Sequence, residues 1–203
     1  MLRYLLLLLI AALTLPSCES AALKVEDSEI NTPRTILPDT ATPIPDDCGG
    51  QIGDTACNVT FVSNEGLVWS LYDNYGSVII LDFSAIWCGV CKHIAPDAQN
   101  IQDHYTDLGH DVLWVTILID GSDYGVPPTA DEVAEWVGDY GMTTSPVLLG
   151  DRSIIDHTAE EGYPVNSWPT VVVVGQNMEI IGGVNGWNQS LVMSWVDQTL
   201  GIN

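Results

Sequence analysis

The sequence predicts an α/β fold, a β-sheet covered on both faces. Three observations carry this. Val78-Ile79-Ile80-Leu81-Asp82-Phe83, Val112 to Ile119 and Thr170 to Val174 are nearly continuous apolar runs, the pattern of strands buried on both sides. Three other stretches, around 92–108, 131–140 and 191–200, repeat apolar residues with helical spacing. Strand-like and helix-like segments alternate along the chain.

Taken in order, structure is expected from Cys48 onwards. Asn58 to Val62 and Leu67 to Leu71 are β-prone and flank Ser63-Asn64-Glu65-Gly66, which reads as a hairpin. Leu71 to Gly76 supplies a helical turn before the strand Val78–Phe83. Ile94, Ala98, Ile101, Tyr105 and Leu108 form one apolar face of a helix over Lys92 to Leu108, with Pro96 inside it as a kink. Val112 to Ile119 is a buried parallel strand, and Gly121 to Thr129 a loop. Val133, Trp136, Val137 and Tyr140 mark a second helix that ends near Gly141. Pro146 to Leu149 is a short strand. Asp151 to Ser167 is polar and holds at most a helical turn. Thr170–Val174 and Glu179–Val184 pair through a Gln176-Asn177 turn. Leu191, Val192, Trp195, Val196 and Leu200 give the last helix. The acidic pairs Asp131-Glu132 and Glu160-Glu161 read as solvated faces. Asp120-Gly121-Ser122-Asp123 lacks the rest of a calcium loop.

Composition narrows the function classes. The chain has 27 acidic and 5 basic residues and a net charge of −22. From 48 to 203 the basic side chains are Lys92 and Arg152 alone, against 20 acidic ones. No basic patch exists to meet phosphates, which excludes nucleic acid as a partner and an anionic membrane surface as a docking site for the folded part. Such acidity keeps a surface solvated.

The first residues read as a targeting segment. Arg3 gives a short positive start, and Leu5 to Leu13 is apolar but far shorter than the roughly 20 residues of a spanning helix. Leu15-Pro16-Ser17-Cys18 resembles the bacterial lipobox, whose cysteine is lipidated. This predicts a signal peptide over 1–17 and a lipoprotein anchored to a membrane through Cys18, outside the cytoplasm in the periplasm or at the cell surface. Residues 18–47 are rich in Thr, Pro, Ser, Asp and Glu without apolar period and read as a disordered tether. A flexible coil of that length spans on the order of 30 Å. Residues 48–203 form the domain.

The cysteines sort by arithmetic. Cys18 takes lipid. Cys88 and Cys91 form Trp87-Cys88-Gly89-Val90-Cys91-Lys92 between a strand and a helix start. The unpaired N–H groups of a first helical turn stabilise a thiolate, the form that attacks disulfides, and a second thiol one turn away releases the mixed disulfide. Zinc is the competing use of a CxxC pair, yet the sequence offers no second CxxC or HxxxH. Cys48 and Cys57 remain, an even number in an oxidising compartment, and are expected to form a structural disulfide. Closing that short loop stabilises by roughly 2–3 kcal/mol.

Leu81 to Pro96 resembles the thioredoxin active-site segment in Asp82, Trp87, the two cysteines, Lys92 and Pro96. Trp168-Pro169-Thr170 resembles that family's cis-proline loop. The order of elements is similar to the TlpA-like redoxin branch of the thioredoxin-like superfamily. The resemblance implies a thioredoxin-like fold: a central mixed β-sheet flanked by helices, with an N-terminal β-hairpin and an insertion before the cis-Pro loop. It implies a thiol–disulfide oxidoreductase, monomeric, without cofactor or metal, exchanging with protein thiols and disulfides and recharged by an upstream electron donor. Cys88, exposed at the helix start, is then the nucleophile and Cys91 the resolving thiol. Asp82, buried beneath them with a raised pKa, accepts the Cys91 proton. Pro169 is cis, and Trp87, Trp168, Pro169 and Thr170 bind substrate, with the Trp168 backbone taking peptide as an added strand.

Two departures bear on the chemistry. Val90 stands where thioredoxin has proline, so its reducing strength does not carry over, and Thr116 stands in the place of a lysine that partners the buried acid. Two rival functions share the fold. A peroxiredoxin-like thiol peroxidase needs Thr or Ser three residues before its cysteine, where this chain has Ala85. A copper-handling redoxin-like chaperone, non-enzymatic, would use the cysteines with a distant histidine; His93, His104, His110 and His157 are present, each more simply a surface or packing residue.

Overall fold

A computed structural model describes residues 47–202. The expected signal peptide, the lipidation at Cys18 and the tether up to residue 46 lie outside the described residues. The strands are β1 (Thr60–Ser63), β2 (Val68–Ser70), β3 (Val78–Ala85), β4 (Val112–Asp120), β5 (Val147–Leu149), β6 (Thr170–Val174) and β7 (Ile180–Asn185). The α-helices are α1 (Gly89–Asp107), α2 (Ala130–Tyr140) and α3 (Gln189–Leu200). Short 3-10 turns span Leu71–Asn74 and Arg152–Ile154.

The seven strands form one mixed sheet in the order β2-β1-β5-β4-β3-β6-β7. β3, the central apolar run, is parallel to β4 and antiparallel to β6, and every one of its residues is buried. β4 and β5 are parallel; the β1–β2 hairpin adds antiparallel to β5, and β7 closes the other edge against β6. This is a thioredoxin-like α/β fold.

Alternation along the strands splits the core in two. Val78 and Ile80 of β3, Trp114 and Leu118 of β4, and Val171 and Val173 of β6 pack with Cys91, Ala95, Ala98 and Ile101 of α1, Trp136 of α2 and Val196 of α3. Ile79, Leu81 and Phe83 face the other way, onto Ala56, Cys57, Val59, Leu71, Tyr163 and Val165. The three α-helices therefore share one face, while irregular chain and a 3-10 turn cover the second. Cys48 is disulfide-bonded to Cys57 within that covering layer, with their Cα atoms 4.8 Å apart. The Tyr163 hydroxyl donates to the Cys57 carbonyl at 2.6 Å, which fastens the layer to the segment after β5.

Local chemistry sets the helix ends. α1 begins at Gly89, three residues before the expected start, because Cys88 is its N-cap. Leu108 is 53% exposed, against its expected place on the apolar face, since it lies beyond the last turn as C-cap. Two glutamines share the buried side of α1. Gln99 Oε1 accepts the N–H groups of Thr143, Thr144 and Ser145, and Gln102 Oε1 accepts that of Trp114. Glu132 stays partly exposed and has a structural use besides: with Thr129 it closes a capping box that starts α2, and it also accepts the Ser122 N–H. Gly141, at φ 65°, ends α2 in the left-handed conformation. Trp195 of α3 lies over Gly182 of β7, where any side chain would collide with its ring.

Candidate redox site

The site forms where β3 ends and α1 begins. The Ile86 N–H donates to the Asp120 carbonyl at 3.0 Å, and the Cys88 N–H to the Ala85 carbonyl at 3.0 Å, which turns the chain off the sheet. Cys88 then has extended backbone (φ −77°, ψ 116°), and its carbonyl accepts the Lys92 N–H at 3.2 Å as the helix starts. Its sulfur accepts the Cys91 N–H at 3.1 Å, taking the place a Ser or Asp oxygen holds in an ordinary N-cap. The first turn carries no acidic residue, so no carboxylate within the helix opposes its positive end at this sulfur. Cys88 and Cys91 are disulfide-bonded, with Cα atoms 5.3 Å apart.

Cys88 is only 5% exposed and Cys91 fully buried. The expectation of an exposed Cys88 is corrected: both cysteines belong to a core cluster against which Ile86, Trp87 and Trp168 pack. Gly89 and Val90 at the start of the helix remain open to solvent.

Asp82 is 1% exposed on β3, on the face it shares with Val78 and Ile80 and so on the side of the cysteines. Ser84 Oγ donates to its Oδ1 at 2.6 Å and Thr116 Oγ1 to its Oδ2 at 3.3 Å; Thr116 is its register neighbour on β4. Trp114 Nε1 donates to Thr116 Oγ1 at 3.2 Å. Burial pushes the Asp82 carboxyl up to about 6, against the downward pull of Ser84, Thr116 and Trp114. Its hydrogen-bond partners are hydroxyls, and Thr116 in place of a lysine leaves the acid without a cationic neighbour among the described residues.

The Trp168–Pro169 peptide bond is cis. Pro169 is buried, and its carbonyl accepts the Gly186 N–H at 2.7 Å. The buried Thr170 hydroxyl lies 2.8 Å from the Ser167 carbonyl and 3.0 Å from Asn185 Oδ1, which ties the start of β6 to β7. Trp168 meets Trp87 edge to face with ring centroids 6.3 Å apart, so the proline loop and the cysteine turn are in contact. Cys48–Cys57 lies on the other face of the sheet and takes no part in this arrangement.

One cluster escaped the sequence reading. Asp120, at the end of β4, is fully buried, and Arg152 grips it with Nε on Oδ1 at 2.9 Å and Nη2 on Oδ2 at 2.6 Å. Oδ2 also accepts Trp87 Nε1 at 3.1 Å and the Gly125 N–H at 2.9 Å. Burial raises the Asp120 pKa, but Arg152, the Gly125 N–H and the Trp87 indole together hold it below the usual carboxylate range. The available signal was compositional: Arg152 is the one arginine after the tether, in a domain otherwise crowded with acids.

No group of three or more His, Cys, Asp or Glu among the described residues could hold a metal ion. His93, His104 and His157 are exposed and His110 half-buried. What the arrangement can do is dithiol–disulfide exchange: a sulfur at a helix N-terminus, a second sulfur one turn inside, and a buried acid on the same side of the sheet.

The thioredoxin family model matches residues 70–124, which span β3, the CxxC turn, α1 and β4. The chain is 25% identical over 134 residues to the thiol-disulfide oxidoreductase ResA of Bacillus subtilis, covering 66% of this chain and 67% of that one. Two other curated relatives are much longer, and the matches span 10% and 15% of their lengths. Among solved structures it resembles one described as a candidate thiol:disulfide interchange protein DsbE of Chlorobium tepidum, with TM-score 0.60, 21% identity, and coverage of 75% of this chain and 99% of that one. It also resembles an exposed lipoprotein thioredoxin of Streptococcus pneumoniae, with TM-score 0.54, 22% identity, and coverage of 70% and 99%. The matched segment and the structural likeness agree on a thioredoxin-like fold.

Proposed function

We propose that the chain is an extracytoplasmic thiol–disulfide oxidoreductase, lipid-anchored through Cys18, that reduces protein disulfides. The observation that carries the reading is Cys88 at the N-cap of α1, its sulfur accepting the Cys91 N–H and bonded to Cys91. In the reduced protein the Cys88 thiolate attacks one sulfur of a substrate disulfide. A Cys88–substrate disulfide forms, and the other substrate sulfur leaves as thiolate. Asp82 takes the proton of Cys91, whose thiolate attacks the Cys88 sulfur and frees the second substrate thiolate. Two electrons pass to the substrate, and Cys88–Cys91 is left as the disulfide that an upstream dithiol must reduce. The cis-proline segment Trp168-Pro169-Thr170 and Trp87 hold the substrate chain beside the sulfurs. The envelope location rests on the leader and lipobox-like residues 1–18.

Insulin reduction, with dithiothreitol as electron source, tests the chemistry. Cys88→Ser is expected to abolish it; retained activity would defeat the mechanism. The potential of Cys88–Cys91 in a glutathione buffer tests the direction. A value near about −120 mV, that of a strong oxidant, would reverse the reductase assignment.

A further inference from the structure

The geometry points to Arg152 as a positioning residue that, through Asp120, holds Trp87 and Tyr124 as one ledge for apolar or aromatic side chains of a protein substrate. The inference rests on the oxidoreductase reading and adds to it a determinant of substrate capture.

Asp120 joins four pieces of chain. It ends β4, accepts the indole of Trp87 from the cysteine turn, accepts the Gly125 N–H from the loop 121–129, and is forked by Arg152 from the turn after β5. A forked guanidinium–carboxylate pair fixes direction as well as distance. Arg152 also stacks over Tyr124, with its Cζ 4.4 Å from the ring centroid, an arrangement of cation over aromatic face. Tyr124 in turn meets Trp87 at 5.4 Å, and Trp87 meets Trp168 at 6.3 Å. Three aromatic rings thus run in series from the loop 121–129, past the residue before Cys88, to the residue before the cis proline. Tyr124 is 71% exposed and Val126 beside it 53%, so the outer end of the row faces solvent. Large aromatic surface left open, yet fixed in place, binds without the entropy cost of ordering loose side chains. Residues 122–127 of the loop 121–129 are exposed; they are tied to the rest of the fold by the Gly125 N–H to Asp120 and the Ser122 N–H to Glu132, and the loop ends are held by buried Pro128 and the Thr129–Glu132 capping box. Without Arg152 the ring of Tyr124 loses its cation and Asp120 loses two of its four donors.

Steady-state insulin reduction separates this role from one in the thiol chemistry. Arg152→Ala and Tyr124→Ala are each expected to raise KM for insulin about tenfold, with kcat changed by less than about twofold. Arg152→Lys, which keeps the charge but not the fork, is expected to recover only part of the loss. Tyr124 is too exposed for its removal to endanger folding, so the test stands even where Arg152→Ala folds poorly. A wild-type KM in Tyr124→Ala, or a fall in kcat alone in Arg152→Ala, overturns the inference. Cys88→Ser in the same assay keeps the two readings apart. If it still reduces insulin, the oxidoreductase mechanism fails. If it is inactive while both ledge variants keep the wild-type KM, only the ledge fails.

Discussion

Asp82 and Asp120 are both buried carboxyls whose pKa values move in opposite directions. They lie on the adjacent strands β3 and β4, turn to the same side of the sheet, and are 1% and 0% exposed. Asp82 meets two hydroxyls and feels the Trp114 indole, and its pKa rises to about 6; Asp120 meets a guanidinium, a backbone N–H and an indole N–H, and its pKa falls. Both side chains are closed off from solvent, desolvation weighs more on Asp82, and the donors differ. A hydroxyl can bond to either form of a carboxyl, whereas a guanidinium only donates and so favours the anion. The first acid is thereby free to carry a proton near neutral pH. The second is a fixed anion that organises the chain around it.

The largest effect is expected where the proton carrier is removed. Asp82→Asn keeps the shape and loses the base, and should slow insulin reduction about a hundredfold. It also tests the sign of the charge. Because the folded pKa lies above the unfolded one, protonated Asp82 contributes stability in full below about pH 4, and that contribution is gone above about pH 6. A shift of that size corresponds to about 3 kcal/mol. Asp82→Asn should therefore be the more stable protein at pH 8 and lose its advantage at pH 4, by urea denaturation at each pH. If the two unfold alike at pH 8, Asp82 is not held up by burial.

Asp120→Asn should show the opposite sign. A lowered pKa means that the anion stabilises the fold above the ordinary carboxylate range and that this is lost as pH falls through the folded value. At pH 7 the substitution is expected to cost about 2–3 kcal/mol, since it weakens charged hydrogen bonds inside the protein. Equal midpoints for wild type and variant at pH 7 would mean that Arg152 contributes nothing through this pair. The smallest effect belongs to Trp87→Phe, which keeps an aromatic ring and removes one donor from Asp120. About 1 kcal/mol is expected, read from the same denaturation curves.

The comparison also explains what could be read from the chain. The buried strands were legible because continuous apolar runs have few other uses, and α1 because Ile94, Ala98, Ile101 and Tyr105 repeat every three or four residues. Asp82 was legible as an acid inside such a run. Asp120 closes the run of β4, but its partners come from residues 87, 125 and 152, and no local pattern announces a bond across 32 positions. The apolar spacing of α1 begins only at Ile94, so it set the helix at Lys92, while the CxxC motif itself placed the helix start at Cys88. Gln99 and Gln102 look like exposed polar residues until the loop they satisfy is in place. The sharing of one sheet face by all three α-helices depends on crossover geometry, which spacing within a segment does not encode.

The placement of the two basic side chains bears on how a charged partner approaches. Between residues 48 and 203 only Lys92 and Arg152 carry positive charge, against 20 acids, and Arg152 is committed to Asp120. Lys92 is exposed, enters no ion pair among the described residues and follows directly on Cys91. Lys92 shares a pocket with Glu132, Glu135 and Asp139, so the charge around the cysteine turn stays acidic. Salt, which shortens the reach of charge to about 8 Å at physiological strength, eases the approach of an anionic partner.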